Sequence, residues 1–121
     1  MKILRSFKYA INGLRIVVTE ERNAVIHTII TGAVILSAIL LKINHYEWIA
    51  IIFAIGFVFV SEIINTVIEN LADFVTKENN IDIKRIKDIA AAAVLVSAIV
   101  AAIIGLIVFL PRILMLFSFN S

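Results

Sequence analysis

The chain has 121 residues, of which 62% are hydrophobic and 17% are charged. Soluble globular domains are about 45–50% apolar and about a quarter charged, so this composition excludes an ordinary soluble enzyme and a disordered chain. The absence of cysteine excludes disulfides, thiolate metal sites and a cysteine nucleophile. A net charge of +2 without a long basic run gives no indication of nucleic-acid binding. The sequence therefore indicates a small integral membrane protein.

The N-terminal stretch predicts an amphipathic helix over about residues 3–19. Apolar residues recur there at steps of three and four, and basic residues occupy most of the positions between them. The apolar set is Ile3, Leu4, Phe7, Ile11, Leu14, Val17 and Val18, and the basic set is Lys2, Arg5, Lys8 and Arg15. A helix of this kind is suited to lie on an anionic membrane surface.

Three apolar segments predict membrane-spanning helices, because a bilayer core of about 30 Å needs about 20 apolar residues at a rise of about 1.5 Å each. They cover about residues 24–41, 48–68 and 89–110. The third carries no charge, and we expect Pro111 and Arg112 to stop it. Together these elements predict a single domain over residues 1–121. Its fold class is an all-α integral membrane protein with an N-terminal amphipathic surface helix and three transmembrane helices.

Basic residues predict the orientation in the membrane. Nine of them fall before the first span or between the second and third spans, and two fall elsewhere. By the positive-inside rule, we expect the N-terminus and the loop over residues 70–88 to lie in the cytoplasm. Tyr46 and Trp48 then fall at the outer boundary, where aromatic side chains concentrate.

The second span carries an acidic residue at depth. Residues 48–60 are free of charge but too few to cross a membrane alone, so a full crossing takes Glu62 into the hydrocarbon. A carboxylate there costs about 2.5–3.5 kcal/mol on insertion scales, and we therefore expect it to have a function.

A polar stripe continues from this residue. Glu62, Asn65, Glu69 and Asp73 are spaced by three, four and four, so a helix places them on one face. Three carboxylates on one stripe need a divalent cation or lysines to balance them. An ordinary solvated surface acid explains Asp73 equally well, but Glu62 lies too deep for that interpretation.

A basic cluster precedes the third span and consists of Lys84, Arg85 and Lys87, followed by Asp88. Composition alone favours a cluster that sets membrane topology, and the alternative is a phosphate-binding lysine with a carboxylate partner. The sequence has neither a Walker A loop nor a G-x-G-x-x-G motif, so side chains and a metal would have to hold any nucleotide.

An acidic pair, Glu20 and Glu21, precedes the first span, and His27 lies one to two turns further on. The pair can be interpreted as the charged end of a helix at the membrane surface, an interpretation that needs no function for it. We interpret His27 as an interfacial side chain. Zinc binding is not expected, because the sequence has no cysteine and no His-x-x-x-His pair.

Two motifs resemble the prokaryotic diacylglycerol kinase family, which includes the undecaprenol kinases of Gram-positive bacteria. They are E-I-I-N-T-V-I-E-N-L-A-D at residues 62–73 and K-R-I-K-D-I-A-A-A-A-V-L at residues 84–95. The resemblance extends from about Phe7 to Leu110. The stretch E-R-N-x-x-x-H at residues 21–27 is similar to the Gram-positive branch and favours a polyprenol substrate.

The resemblance implies an ATP- and Mg²⁺-dependent lipid kinase. Glu62 would be the general base that takes the proton from the lipid hydroxyl. Asn65 would position that hydroxyl or the γ-phosphate. Glu21 and Glu69 would hold Mg²⁺ that bridges the ATP phosphates, and register alone favours Glu21 over Glu20 as the ligand.

The resemblance also implies a set of nucleotide-binding residues. Lys87 would neutralise the β- and γ-phosphates, and Asp88 would orient Lys87 and the nucleotide. Tyr9 would pack against the adenine or the ribose. Glu78 would approach the nucleotide, although its loop, K-E-N-N-I-D-I at residues 77–83, departs from the common family pattern.

The implied substrate is undecaprenol, with diacylglycerol as the alternative. The implied assembly is a homotrimer with active sites shared between subunits, in the cell membrane of a bacterium. A different class of function is a small transporter or ion-path subunit lined by the Glu62 stripe. That alternative gives no role to Lys87 and Asp88, whereas a kinase needs both clusters on the same side of the membrane.

Overall fold

The computed structural model describes residues 1–120 and consists of four helices. They are α1 (Lys2–Glu20), α2 (Arg22–Leu40), α3 (His45–Val75) and α4 (Ile81–Phe119). Residues 1–120 contain no β-strand, and α2, α3 and α4 are each long and apolar enough to cross a membrane. The predicted all-helical membrane fold with three candidate spans is confirmed.

The first two helices are separated by a single residue, Glu21. Its backbone is extended, with φ −92° and ψ 116°. The Glu21 N–H donates to the carbonyl of Val17 at 3.1 Å, and the Glu21 carbonyl accepts from the N–H of Val25 at 3.1 Å. No glycine or proline marks this position, and the break falls where the amphipathic pattern changes to a continuous apolar one. Glu21 thus lies at the junction of the predicted surface helix and the first span.

The turn between α2 and α3 is a Schellman motif. The N–H of Ile43 donates to the carbonyl of Ala38 at 3.3 Å, and the N–H of Lys42 donates to the carbonyl of Ile39 at 3.2 Å. Lys42 occupies the left-handed position, with φ 52°, where a residue other than glycine costs about 1–2 kcal/mol. The buried side chain of Ile43 packs against Ala38 in the main apolar cluster, which stabilises the turn.

A capping box begins α3, and α4 is tied to it by Arg112. The Asn44 side chain accepts from the N–H of Glu47 at 2.9 Å, and the Glu47 side chain accepts from the N–H of Asn44 at 3.2 Å. The Arg112 guanidinium forms an ion pair with Glu47 and donates to the carbonyls of Leu41 and Lys42, both at 3.3 Å. Arg112 therefore supplies donors to carbonyls that the end of α2 leaves free.

The last helix corrects one prediction. We expected Pro111 and Arg112 to stop the third apolar segment, but α4 continues through both to Phe119. Proline removes one backbone N–H, a loss that neighbouring groups compensate in apolar helices, and Arg112 has found a partner within the fold. At about 1.5 Å per residue, the 39 residues of α4 extend about 58 Å, well beyond a hydrocarbon core of about 30 Å.

The apolar core is small and joins α2, α3 and α4. It consists of the buried side chains of Ala38, Ile43, Ile51 and Val108. Most large apolar side chains remain exposed, Phe53 at 74% and Phe74 at 90%. In water such exposure would be very unfavourable, so a bilayer or further copies of the chain must cover these surfaces.

Candidate functional site

One face of α3 turns from apolar to polar as it approaches the α3–α4 turn. Five of its buried residues follow each other at steps of three and four: Ile51, Ala54, Val58, Glu62 and Asn65. Because this spacing defines one helical face, Glu62 and Asn65 point toward the helix bundle rather than toward lipid. Thr66 and Ala72 are buried further along the helix. Glu62 is 3% exposed and Asn65 is 7% exposed.

His27 of α2 contacts the deepest carboxylate. Its Nε2 lies 3.0 Å from Oε1 of Glu62, and the two side chains are 24% and 4% exposed. The contact lacks the alignment of a hydrogen bond, since within residues 1–120 Oε1 has no hydrogen-bond partner. Sequence reasoning had treated His27 as an interfacial side chain and missed this contact. The one feature of the sequence that could have indicated a role for His27 is its place in the E-R-N-x-x-x-H stretch.

Asn65 contacts the next acid on the stripe, Glu69. Its Nδ2 donates to Oε1 of Glu69 at 3.3 Å. Its Oδ1 is buried and finds no hydrogen-bond partner in the described part of the chain. Buried polar atoms without hydrogen-bond partners cost about 1–3 kcal/mol each, so Oδ1 of Asn65 calls for a hydrogen-bonding or cationic ligand. Oε1 of Glu62 has only the contact with His27 and can accept a hydrogen bond as well.

A polar cleft lies at the α3–α4 turn, with a volume of about 430 Å³. It is bordered by the end of α3, the loop and the first turns of α4. Its charged lining residues are Asp73, Lys77, Glu78, Lys84 and Lys87. Three lysines against two acids leave this cleft net positive, a charge suited to an anionic ligand.

The two lysines at the start of α4 have different partners. Lys87 forms an ion pair with Asp73 across the helix pair, and Lys84 pairs with Asp88 at 2.7 Å on the surface of α4. The resemblance implied that Asp88 orients Lys87, but in the structure the carboxylate that pairs with Lys87 is that of Asp73. The reason is geometric, because adjacent residues on a helix point in different directions whereas residues four apart share a face.

The residues expected from the N-terminal helices lie apart from these contacts. Tyr9 is 71% exposed on α1, Glu20 is exposed, and Glu21 is partly buried at the helix junction. Within residues 1–120, no group of three His, Asp or Glu side chains is close enough to hold a metal ion alone. Magnesium commonly takes only one or two carboxylates and completes its shell with substrate phosphates and water. Glu21 and Glu69 fit that donor chemistry, and the free Oδ1 of Asn65 is a further oxygen donor.

The fold and site define a helical membrane protein with a buried carboxylate, Glu62, on α3. A polar, lysine-lined cleft begins at Asp73, eleven residues or about 16 Å further along the same helix. The family model described as prokaryotic diacylglycerol kinase matches residues 8–109. The chain belongs to this family and is a lipid kinase, which confirms the resemblance seen in the sequence.

Two relatives illustrate the range within the family. The chain is 36% identical over 111 residues to the undecaprenol kinase of Bacillus subtilis, a match that covers 92% of this chain and 90% of the relative. It is 35% identical over 115 residues to the diacylglycerol kinase of a Synechocystis species, covering 94% of this chain and 66% of the relative.

Proposed function

We propose that the protein transfers the γ-phosphoryl group of ATP to a membrane lipid alcohol at the cytoplasmic leaflet, converting undecaprenol to undecaprenyl phosphate. The observation that carries the proposal is the buried carboxylate of Glu62, whose Oε1 has no hydrogen-bond partner within residues 1–120. It lies where the apolar face of α3 becomes polar. The name of the Bacillus subtilis relative supports the polyprenol substrate.

Glu62 is the proposed general base, and Asn65 is the proposed positioning group beside it. The chain of a lipid alcohol stays in the hydrocarbon, so a base that reaches its hydroxyl must lie on a membrane-spanning helix. Glu62 accepts the hydroxyl proton as the lipid oxygen attacks phosphorus, and ADP leaves with the bridging oxygen. The free Oδ1 of Asn65 is available to the hydroxyl or to a ligand of the γ-phosphate.

The polar cleft is the proposed site of the ATP phosphates. Lys87 neutralises the β- and γ-phosphates, and its ion pair with Asp73 holds the ammonium at the edge of the cleft. Glu78 lines the same cleft. Asp88 and Tyr9 are proposed to contact the nucleotide from α4 and α1, where both are exposed and accessible to it.

Glu21 and Glu69 are the proposed Mg²⁺ ligands. Bound magnesium would neutralise phosphate charge and align the polyphosphate. Glu69 already accepts a hydrogen bond from Asn65, which fixes one carboxylate oxygen and leaves the other for a cation. Glu21 lies at the α1–α2 junction, and the choice of Glu21 over Glu20 agrees with its partial burial.

The proposed assembly is a homotrimer in a bacterial cell membrane, with the N-terminus and the α3–α4 turn in the cytoplasm. The exposed apolar side chains, and the buried oxygens of α3 that have no hydrogen-bond partner within residues 1–120, support an assembly in which neighbouring copies complete each site. The concentration of basic residues in α1 and around the α3–α4 turn supports the orientation.

Diacylglycerol is the second candidate substrate, because the Synechocystis relative bears the name diacylglycerol kinase. The test of the proposal is transfer of labelled phosphate from ATP with Mg²⁺ by the purified protein in micelles. Undecaprenol and diacylglycerol are offered separately. We expect labelled undecaprenyl phosphate at the higher kcat/KM. Faster labelling of diacylglycerol would overturn the substrate, and transfer to neither lipid by folded, oligomeric protein would overturn the proposed reaction.

Glu69→Gln is expected to raise the Mg²⁺ concentration for half-maximal activity by about tenfold or more, because it removes a charged oxygen ligand. The glutamine carbonyl can still accept from Asn65 Nδ2, so local structure is preserved. A magnesium titration at saturating ATP measures the effect. The matched control is Asp82→Asn at the exposed start of α4, and equal magnesium dependence in both variants would contradict the assignment.

His27→Ala is expected to lower kcat about tenfold to a hundredfold, because it removes the side chain that contacts the buried Glu62 carboxylate at 3.0 Å, and each loss of about 1.4 kcal/mol in transition-state stabilisation lowers the rate tenfold. His27 would hold the Glu62 carboxylate in place, so the KM for ATP should stay unchanged. His27→Gln retains a side-chain N–H donor and should recover part of kcat. Ser37→Ala on the same helix is the control, and wild-type kcat in His27→Ala would show that the contact is incidental.

A further inference from the structure

One buried hydroxyl of α3 has no partner in the described part of the chain. Thr66 is 6% exposed, and its side chain makes no hydrogen bond within residues 1–120. A hydroxyl in a helix commonly donates to a carbonyl three or four residues earlier. Seven helical hydroxyls make such a bond: Ser6, Thr19, Thr28, Ser37, Ser61, Ser97 and Ser118. Thr31 lacks one but is only partly buried. A buried hydroxyl without a partner is unfavourable, so that of Thr66 is available to a ligand.

Thr66 lies between the proposed base and the polar cleft. Glu62 is four residues before it, about 6 Å along the helix, and Asp73 is seven residues after it, about 10 Å along the helix. Residues seven apart in a helix share a face, and Asp73 forms the ion pair with Lys87 of α4. Thr66 therefore lies on the side of α3 that faces α4, on the membrane side of the cleft.

The transferred phosphoryl group has to enter this interval of α3. Under the proposed function, the ATP phosphates bind at the cleft and the attacking lipid oxygen lies at Glu62, about 16 Å away along the helix. Reaction requires the two reacting atoms to approach within about 3–3.5 Å of each other. The γ-phosphoryl group must therefore extend from the cleft toward Glu62, past Thr66.

Few groups in this interval can bind a phosphoryl oxygen, which accepts hydrogen bonds and carries negative charge. Nδ2 of Asn65 already donates to Glu69 at 3.3 Å, and Oδ1 of Asn65 and Oε1 of Glu62 are acceptors. Among the buried side chains of α3, the hydroxyl of Thr66 is the donor without an acceptor in residues 1–120. It is also neutral, so its burial carries no charge into the membrane.

We propose that Thr66 is a catalytic residue whose hydroxyl donates a hydrogen bond to an oxygen of the γ-phosphoryl group during transfer. The inference rests on the proposed function and adds a residue to its site. The bond from phosphorus to ADP breaks as the bond to the lipid oxygen forms, the lipid proton goes to Glu62, and Thr66 keeps its own proton. Because negative charge is spread over the phosphoryl oxygens in the transition state, a donor fixed on a rigid helix stabilises that state.

Thr66→Val provides the test, because valine keeps the branched shape and lacks the hydroxyl. We expect it to lower kcat/KM for ATP about tenfold to a hundredfold, the range of a hydrogen bond to a charged group. It should weaken the binding of a non-hydrolysable ATP analogue about tenfold, while the binding of ADP, which has no γ-phosphate, stays unchanged. Thr66→Ser keeps the donor and should recover most of both quantities. Calorimetric titration in micelles with Mg²⁺ and initial rates with undecaprenol are the measurements.

Ser97→Ala is the matched control. Ser97 is also buried, at 0% exposed, but its hydroxyl donates to the carbonyl of Val94 at 2.8 Å within α4. This variant should bind the ATP analogue and ADP as the wild type does. An equal loss of analogue binding in Ser97→Ala and Thr66→Val would show a general effect of removing a buried hydroxyl and would overturn the inference.

Three further outcomes for Thr66 would also overturn it. They are equal losses of ATP-analogue and ADP binding in Thr66→Val, a rise confined to the KM for the lipid, and a Thr66→Ser variant as impaired as Thr66→Val. The contrast between the two nucleotides needs no lipid acceptor, so it tests the inference separately from the reaction. A wild-type protein that binds both nucleotides but phosphorylates no lipid alcohol would overturn the proposed function instead.

Discussion

Glu62→Gln is expected to lower phosphate transfer by about a hundredfold to ten-thousandfold, the range that general base catalysis contributes. Glutamine has nearly the same shape as glutamate but cannot accept the hydroxyl proton at neutral pH. The residue is 3% exposed, and replacing a buried charge with a neutral amide removes a desolvation cost. Helix content and oligomeric state should therefore remain those of the wild type. The measurement is kcat with undecaprenol at saturating ATP and Mg²⁺, with circular dichroism and size-exclusion chromatography alongside.

A neighbouring polar residue supplies the control for this variant. Ser61 is one position before Glu62, and its hydroxyl donates to the carbonyl of Phe57 at 2.9 Å within α3. Ser61→Ala should keep nearly full activity, since it removes a local hydrogen bond that the helix does not require. If Glu62→Gln kept activity within about tenfold of wild type, the general base would be another residue.

Lys87→Ala is expected to raise the KM for ATP by about tenfold to a hundredfold, with the KM for the lipid unchanged. A charge-assisted contact with phosphate contributes about 1.5–3 kcal/mol, and alanine removes it completely. The change also leaves Asp73 at the cleft without its lysine, and that unpaired carboxylate would repel the nucleotide. Initial rates over a range of ATP concentrations at fixed undecaprenol measure the effect.

The α4 start offers a matched control for Lys87. Arg85 is two positions earlier and equally basic, but it does not line the polar cleft at the α3–α4 turn. Arg85→Ala should leave the KM for ATP close to wild type, although both variants lose one positive charge. Equal rises in the two variants would point to a general electrostatic effect of the basic cluster. A rise in the lipid KM alone for Lys87→Ala would show that this lysine does not bind phosphate.

The sequence alone predicted the four helices and placed Glu62 inside the second candidate span. The periodicity of apolar and basic residues predicted α1. The length of the apolar runs predicted three spanning helices, because in hydrocarbon a helix satisfies its backbone hydrogen bonds within one segment. The same reasoning identified Glu62, since an acid inside a span is costly wherever the helix packs. Asn65 and Glu69 also followed from spacing, and their hydrogen bond lies within one helix. These features depend only on the spacing of residues within one helix, which can be read directly from the sequence.

Only the tertiary structure decided which side chains meet across helices. The contact of His27 with Glu62, the pairing of Lys87 with Asp73, and the binding of Arg112 at the α2–α3 turn all join separate helices. Such contacts depend on the rotation and relative height of packed helices, and no periodicity in one segment encodes them. The continuation of α4 past Pro111 has the same origin, because Arg112 finds its partners on α3 and at the end of α2.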